Sequence, residues 1–216
     1  MTVAWDADGG LVLTGVSVVV VLGPLGSTLF PCPTVVRADA IAGGEGGDFL
    51  IGSEGADVID GGLGDDTIDG GLGDDTIDGG EGGSDVAVFA RDQSGYTFES
   101  STDGLTVTVT DVATGDADTI TEVETFRFAD GDIAVSQDGN GLVLTGSSGA
   151  DNIKVVGSVA VTVQGADGSD DIHGSERDDL LFGADGADVI AGNLGDYLIK
   201  RGLRADTING RLGTDV

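Results

Sequence analysis

A nine-residue repeat rich in glycine and aspartate constrains this 216-residue chain more than any other feature. From residue 43 the sequence divides into nines of the form G-G-x-G-x-D-x-U-x, where U is a large aliphatic residue. Residues 61–78 read GGLGDDTID twice. The sixth places hold Asp48, Asp57, Asp66 and Asp75, and the eighth places hold Leu50, Ile59, Ile68 and Ile77. A repeat of this kind indicates a fold in which neighbouring units share one core.

A second, less regular array starts at residue 165, and a weaker unit, GSSGADNIK at 146–154, precedes it. The sixth places of the second array hold Asp170, Asp179, Asp188, Tyr197, Asp206 and Asp215. Its eighth places hold Ile172, Leu181, Ile190, Ile199 and Ile208. In the first array the fifth unit carries one extra residue, so its aspartate falls at Asp85, and pairing of Asp85 with Asp66 is left open.

The composition of one unit indicates how it folds. Six glycine- and aspartate-rich places turn the chain tightly, because glycine reaches positive φ without a Cβ clash. The other three places form a short strand whose eighth residue points inward, so two units, eighteen residues, make one full coil. The 40 glycines and the skew of 32 Asp to 7 Glu disfavour helices. The sequence therefore predicts an all-β fold of stacked eighteen-residue coils.

The sequence between the two arrays follows a different pattern. Apolar residues alternate with polar ones at Tyr96/Phe98, Leu105/Val107/Val109 and Phe126/Phe128, which is typical of half-buried strands. Turn residues such as Asp103-Gly104 lie between them, so we expect an antiparallel β meander. The predicted organisation is an N-terminal β segment (1–42), a first array (43–85), the meander (86–140), a β segment with one degenerate repeat (141–164) and a second array (165–216).

The phase of the aspartates points to a metal. Stacked coils lie roughly 4.8 Å apart, which brings Asp48 beside Asp66 and Asp57 beside Asp75. Two carboxylates that close repel each other unless a cation lies between them. Calcium accepts six to eight oxygen ligands at flexible geometry, whereas magnesium prefers near-ideal octahedra. Softer metals favour His or Cys, and the chain has one of each.

Calcium is therefore the predicted cofactor, and its candidate ligands are carboxylates and turn carbonyls. The candidates in the first array are Asp48, Asp57, Asp66, Asp75 and Asp85 with Gly43, Gly46, Gly52, Gly55, Gly61, Gly64, Gly70 and Gly73. The candidates in the second array are Asp170, Asp179, Asp188 and Asp206. Bare Asp-Gly turns are the simpler interpretation of a single unit, but four in-phase aspartates disfavour it.

Composition excludes several other classes of protein. A net charge of −30 excludes nucleic-acid binding, which needs a basic face. A hydrophobic fraction of 39% disfavours disorder, and a single Cys32 excludes an internal disulfide. Residues 11–30 carry no charge, but their valine-rich part, 16–22, is too short to cross a bilayer. No basic residue precedes it, so we expect a buried strand there and no signal peptide.

No catalytic constellation is visible, and we predict that the chain is not an enzyme. Neither H-E-x-x-H nor G-x-S-x-G occurs. His173 stands alone at the ninth place of a repeat, where an exposed strand-end histidine is expected. Cys32, between two prolines, has no nearby histidine and is interpreted as an incidental thiol.

These units resemble the repeats-in-toxin (RTX) family of hemolysin-type calcium-binding repeats. The resemblance is strongest over residues 43–85 and 165–190 and implies a parallel β-roll with calcium between stacked turns. It further implies a bacterial protein that is exported unfolded by type I secretion and folds outside the cell, where calcium is millimolar. Such a chain would be a calcium-binding module. Its alternatives are the accessory domain of a secreted protease, lipase or alginate epimerase, or a structural segment of a large adhesin.

The end of the second array departs from the pattern. Asp179 faces Tyr197, so that pair has lost a carboxylate. Arg201 and Arg204 stand where the pattern has glycine, and Arg177 and Arg211 depart similarly. Arginine at a positive φ is expected to be strained. Two interpretations stay open. The last repeats are either a degenerate cap that closes the roll, or a truncated or altered end.

Overall fold

The fold is described from a computed structural model that covers residues 2–5, 11–14, 18–20, 40–138, 141–195 and 198–210. The chain divides into two compact units. Unit 1 combines Met1–Val88 with Asp116–Val123, and unit 2 combines Phe89–Gly115 with Glu124–Val216. The described structure is almost entirely strand and turn, with one 3-10 turn at Gln93–Gly95.

The strands are numbered in chain order. The first twelve are β1 (Thr2–Trp5), β2 (Leu11–Thr14), β3 (Val18–Val20), β4 (Ala40–Glu45), β5 (Phe49–Glu54), β6 (Val58–Leu63), β7 (Thr67–Leu72), β8 (Thr76–Asp78), β9 (Val86–Val88), β10 (Tyr96–Ser100), β11 (Thr106–Asp111) and β12 (Ala117–Thr121). The next twelve are β13 (Thr125–Arg127), β14 (Asp132–Asp138), β15 (Gly141–Thr145), β16 (Asn152–Val156), β17 (Thr162–Gln164), β18 (Asp167–Gly168), β19 (Asp171–His173), β20 (Leu180–Phe182), β21 (Asp185–Gly186), β22 (Val189–Asn193), β23 (Leu198–Lys200) and β24 (Thr207–Gly210).

Unit 1 is a parallel β-roll. Successive strands alternate between two sheets, so β4 pairs with β6 and β6 with β8, while β5 pairs with β7 and β7 with β9. The register steps by one coil of eighteen residues, with Ile59 opposite Ile77 and Leu50 opposite Ile68. The eighth-place side chains of the first array are at most 2% exposed and form the core. The predicted fold and its eighteen-residue coil are confirmed.

The N-terminal strands of unit 1 pair in two ways. β1 and β2 are antiparallel, and β3 is parallel to β4, with Val19 opposite Ile41. The strand expected within residues 16–22 is thus represented by β3. The rest of that stretch lies outside the described residues.

Unit 2 contains the second roll, which is also parallel. One sheet runs through β16, β19, β22 and β24, and the other through β15, β17, β20 and β23. Ile172, Leu181 and Ile190 are fully buried, whereas Ile199 is half-buried and Ile208 is 38% exposed. The eighth-place side chains of this roll therefore become less buried toward β24.

The predicted meander supplies antiparallel pairs in unit 2: β10 with β11, β13 with β14, and β14 with β15. Its core is aromatic, and the Phe89 and Phe128 rings stack with centroids 5.0 Å apart. Tyr96, Phe98 and Phe126 pack in the same cluster. Leu105 does not join it, because it lies before β11 and is 59% exposed.

One strand within the stretch 86–140 pairs with a repeat strand of unit 1. β12 belongs to unit 1 and pairs in parallel with β8, with Ile120 opposite Ile77. Its Asp-Thr-Ile sequence at 118–120 repeats the Asp-Thr-Ile of residues 75–77, so it fits the surface of the roll as a further coil would.

Candidate metal centre

The sixth-place aspartates point into the turns of both rolls and are removed from water. In unit 1 they are between 1% and 4% exposed: Asp48, Asp57, Asp66, Asp75 and Asp85. In unit 2, Asp170, Asp179 and Asp188 are each 1% exposed, and Asp206 is half-buried. A carboxylate buried this deeply is stable only with hydrogen-bond donors or a cation beside it.

One hydrogen bond recurs along each stack and joins consecutive coils. The backbone N–H of a sixth-place residue donates to Oδ1 of the aspartate on the next coil, and we call this series the aspartate ladder. In unit 1 the bonds run from Asp48 to Asp66 (2.7 Å), Asp57 to Asp75 (2.8 Å) and Asp66 to Asp85 (2.8 Å). In unit 2 they run from Asp151 to Asp170 (3.0 Å), Asp170 to Asp188 (3.1 Å) and Asp188 to Asp206 (3.2 Å). The ladder thus engages Oδ1 of each accepting aspartate.

The second oxygen, Oδ2, is buried and accepts no hydrogen bond from the described residues in six aspartates: Asp66, Asp75, Asp170, Asp179, Asp188 and Asp206. In two other units the backbone N–H of the second-place residue reaches this oxygen. Ser53 N–H donates to Oδ2 of Asp57 at 2.7 Å, and Ser147 N–H donates to Oδ2 of Asp151 at 2.8 Å. A buried carboxylate oxygen without a donor is costly, so the six atoms are suited to an electropositive partner.

Burial also raises the pKa of several of these carboxyls. It raises the pKa of Asp75 from 3.8 to about 7, and the carboxylates of Asp118 and Asp57 act in the same direction. It raises the pKa of Asp170 to about 7, with Asp151 and Asp188 adding repulsion. In Asp75 and Asp170 the negative charge is therefore opposed both by desolvation and by like charges.

Glycine at the first place leaves room for the carboxylate. A Cβ at Gly61 would lie 2.6 Å from Oδ2 of Asp66 and would also overlap the carbonyl oxygen of Gly79. The same close approach occurs at Gly43, Gly52 and Gly70. Fourth-place glycines are needed for a different reason, since Gly46, Gly55, Gly64 and Gly73 have φ between 103° and 126°. The first-place glycines thus lie against the ladder, and the fourth-place glycines allow the turn conformation.

The donors offered by these turns fit calcium. They are carboxylate and main-chain oxygens, and no three His, Cys, Asp or Glu side chains converge on one point within the described residues. Any ion would therefore take aspartates from two coils and complete its shell with carbonyls or water. Such a mixed oxygen set suits a large hard cation and suits zinc or copper poorly.

The ladder brings together most of the predicted pairs. Asp48/Asp66, Asp57/Asp75, Asp170/Asp188 and Asp188/Asp206 are each joined by a ladder bond. The pairing left open, Asp66 with Asp85, is present as well, because the turn before Asp85 absorbs the additional residue. Tyr197, Arg211 and Asp215 lie outside the described residues.

Asp179 differs from the other ladder aspartates. Its Oδ1 accepts the backbone N–H of Val161 at 3.0 Å, so the preceding coil offers valine where an aspartate would stand. Ser175 Oγ also donates to this Oδ1 at 2.9 Å. Between the same two turns, Arg177 Nε donates to the carbonyl of Ser158 at 3.0 Å. An arginine therefore bridges two turns whose sixth places hold one carboxylate.

The expectation of strained arginines is wrong. Neither Arg177 nor Arg204 has a positive φ, because their turns take a different backbone path from the glycine-containing ones. In this roll the positive φ values of non-glycine residues lie instead at second places, at Ala166, Ala184 and Asn193.

Sequence reasoning missed three residues that are hydrogen-bonded within or to the ladder. Asp151, in the degenerate unit, donates its N–H to Asp170, and its phase in GSSGADNIK was the available signal. Gln93 is fully buried and caps Asp151, since Nε2 donates to Oδ1 of Asp151 at 2.9 Å and Oε1 accepts from Asn152 N–H at 2.8 Å. Asp118 accepts the N–H of Asp75 at 3.0 Å. Gln93 has no periodic signal, because it comes from a 3-10 turn outside the repeats.

The other singled-out side chains lie away from the ladder. His173 ends β19 and is half-buried, with Nε2 3.0 Å from Oδ1 of Asp171. Cys32 lies outside the described residues. Within the described part of the chain, no helix has the length and apolar character needed to cross a membrane.

Comparison with known proteins agrees with this geometry. The family described as RTX calcium-binding nonapeptide repeat (4 copies) matches residues 37–68, 51–86 and 164–199. The chain therefore carries RTX calcium-binding nonapeptide repeats, and the predicted resemblance is confirmed.

Among solved structures, the chain is similar to the extracellular lipase LipA from Serratia marcescens, with 20% sequence identity and a TM-score of 0.44. The similarity covers 77% of this chain and 31% of the lipase chain, so the chain spans about a third of the length of that protein. No curated protein sequence matches the chain.

Proposed function

We propose that this chain is a calcium-binding β-roll module whose ladder turns bind calcium and whose folding depends on it. The observation that carries the proposal is the set of buried Oδ2 atoms with no donor among the described residues. The proposed carboxylate ligands in unit 1 are Asp48, Asp57, Asp66, Asp75 and Asp85. Those in unit 2 are Asp170, Asp188 and Asp206, with Asp179 the weakest candidate because its neighbour is Val161.

Glycines of the turns are proposed to act through their backbone. First- and fourth-place glycines allow adjacent turns to approach, and their carbonyls supply neutral oxygen ligands beside the carboxylates. Bound calcium would supply positive charge at atoms that burial and mutual repulsion otherwise destabilise.

Charge explains why folding should follow binding. The chain carries a net charge of −30, which opposes stacking of the acidic turns. Each calcium ion adds +2 between carboxylates that the fold brings together, so its binding free energy becomes folding free energy. Affinity per site should lie in the range of extracellular modules, about 10⁻⁴ to 10⁻³ M.

The wider setting is proposed from the family resemblance. We propose a bacterial extracellular location, export by the type I secretion machinery and no catalytic activity in this chain. The module would serve either a secreted protease, lipase or alginate epimerase, or a large adhesin. A catalytic motif elsewhere in the full gene favours the first setting, and many more repeats favour the second.

The test is a calcium titration of the full chain followed by far-ultraviolet circular dichroism, with magnesium as the ionic control. Calcium should raise the β-structure signal cooperatively, and magnesium at equal concentration should not. Asp66→Asn should shift the calcium midpoint upward. Asp60→Asn removes the same charge from an exposed position on β6 and should leave the midpoint nearly unchanged. An equal response to magnesium, or no response to calcium, would contradict the proposal.

A further inference from the structure

One strand of unit 1 lies outside the repeats yet takes the place of the next coil. β12 is parallel to β8, with Thr119 opposite Thr76 and Ile120 opposite Ile77. Ile120 is 2% exposed, as buried as the eighth-place Ile77. Residues 118–121 therefore add a coil edge to the roll without belonging to the repeat array.

The hydrogen bonds around Asp118 reproduce those of a ladder aspartate. The N–H of Asp75 donates to Oδ1 of Asp118 at 3.0 Å. The N–H of Thr119 donates to the carbonyl of Asp75 at 2.7 Å, as the N–H of Thr76 does to the carbonyl of Asp57 at 2.8 Å. Asp118 thus has the backbone environment of a sixth-place residue, although 43 positions separate it from Asp75.

Asp75 lies between two coils, and one of its oxygens has no donor among the described residues. Its Oδ1 accepts the N–H of Asp57 at 2.8 Å. Its Oδ2, inside the turn that starts at Gly70, is buried and accepts no hydrogen bond from the described residues, while Asp75 as a whole is 1% exposed. On the following coil, Asp118 adds a second carboxylate. A buried oxygen without a donor beside a second carboxylate has the chemistry of a hard-cation site.

We propose that Asp75 and Asp118 bind a further calcium ion at the end of the first roll, in a site formed by one repeat residue and one residue outside the repeats. This inference rests on the proposed function and extends it to a residue that the nonapeptide pattern does not contain. Negative charge gathers here: burial, together with the carboxylates of Asp116, Asp74 and Asp69, raises the pKa of Asp118 to about 6. A divalent cation between the coils would offset that repulsion.

Binding at this site would have a structural consequence. Its two carboxylates are far apart in sequence, and loop-closure entropy opposes the return of the chain to the roll. Calcium would favour that return by joining β12 to β8. The backbone amides of β12 should therefore exchange with solvent more slowly when calcium is bound.

The test measures calcium stoichiometry by isothermal titration calorimetry on the full chain at pH 8. Asp118→Asn keeps an Oδ1 acceptor for the N–H of Asp75 but removes the charge, whereas Asp118→Ala removes both. Asp60→Asn is the charge-matched control on the exposed side of β6. We expect Asp118→Asn to bind one calcium ion fewer than the wild type and to lose the calcium-dependent exchange protection of β12. Asp60→Asn should retain both properties.

The outcomes separate the two proposals. Calcium binding by the wild type with an unchanged stoichiometry in Asp118→Asn would overturn this inference alone. A loss of stability in Asp118→Ala with no lost ion in either variant would assign to Asp118 only a hydrogen-bonding role, which also overturns it. Absence of calcium binding in the wild type would overturn the proposed function and this inference together.

Discussion

The backbone N–H of Asp48 donates to Oδ1 of Asp66 over 2.7 Å, across eighteen residues of sequence. Asp66 in turn donates its own N–H to Oδ1 of Asp85 over 2.8 Å. Asp66 therefore lies between two acidic rungs. Within the described residues, the ladder bond to Asp66 joins Asp48 to a single aspartate.

Asp66→Ala should therefore impair calcium-dependent folding more than Asp48→Ala. Loss of Asp66 breaks two aspartate pairs and leaves the buried N–H of Asp48 without its acceptor, which costs about 1–3 kcal/mol before any loss of calcium. Asp48→Ala breaks one pair of the described ladder. Calcium midpoints and melting temperatures of the two variants check this, and equal effects would contradict the two-sided role of Asp66.

Gly61→Ala should weaken calcium binding although it changes no charge. The new Cβ would lie 2.6 Å from Oδ2 of Asp66 and overlap the carbonyl of Gly79, so the turn must move away from the ladder. Overlap of this kind costs about 1–3 kcal/mol. The matched control is Gly95→Ala, whose Cβ would have its closest neighbour at 3.6 Å. A calcium midpoint for Gly61→Ala equal to that of Gly95→Ala would show that the turn tolerates the side chain.

Much of the ladder could be predicted from the sequence, because a coil of two nine-residue units gives every sixth place the same environment. The phase alone identifies Asp57, Asp66 and Asp75 as buried rungs and Ile59 and Ile68 as core. One inserted residue before Asp85 did not break the stack, since a turn can absorb a residue without shifting the strands that follow.

The remaining parts of the site depend on chain segments that return from a distance. Asp118 lacks the glycines of a repeat, and only the short Asp-Thr-Ile match hints at its position. Gln93 caps Asp151 from 58 residues away. Val161 was accessible to sequence reasoning, because counting back from Gly165 puts it at a sixth place. The backbone conformation at Arg177 could not be predicted, since this turn does not use the positive φ of the glycine-containing turns.

Without calcium, the folded chain should be more stable at pH 5 than at pH 8. The pKa of Asp75 and of Asp170 is about 7 in the folded state and that of Asp179 about 6, all above the ordinary 3.8. A raised pKa contributes stability that is fully present below the unfolded value and is lost as the pH rises through the folded value. At low pH, protons thus neutralise carboxylates that calcium would otherwise neutralise.

Circular dichroism in a chelator at pH 5 and pH 8 measures this effect. Sedimentation controls for aggregation near the sequence pI of 4.1. With calcium present the trend should reverse, because calcium must displace these protons, so its apparent affinity should rise from pH 6 to pH 8. Equal β-structure at both pH values in the chelator would contradict the prediction.

Arg177→Met should lower stability without removing a calcium ion. Arg177 Nε donates to the carbonyl of Ser158 at 3.0 Å, between turns whose sixth places are Val161 and Asp179. The sixth places of these two turns offer one carboxylate, that of Asp179, and the arginine already links the turns, so we expect no calcium between them. Loss of the bond should cost about 1 kcal/mol. The measurements are the urea midpoint and the calcium stoichiometry, both at saturating calcium. Arg201→Met removes the same charge from an exposed position and should leave both values unchanged. A lower stoichiometry in Arg177→Met would show instead that the arginine supports a metal site.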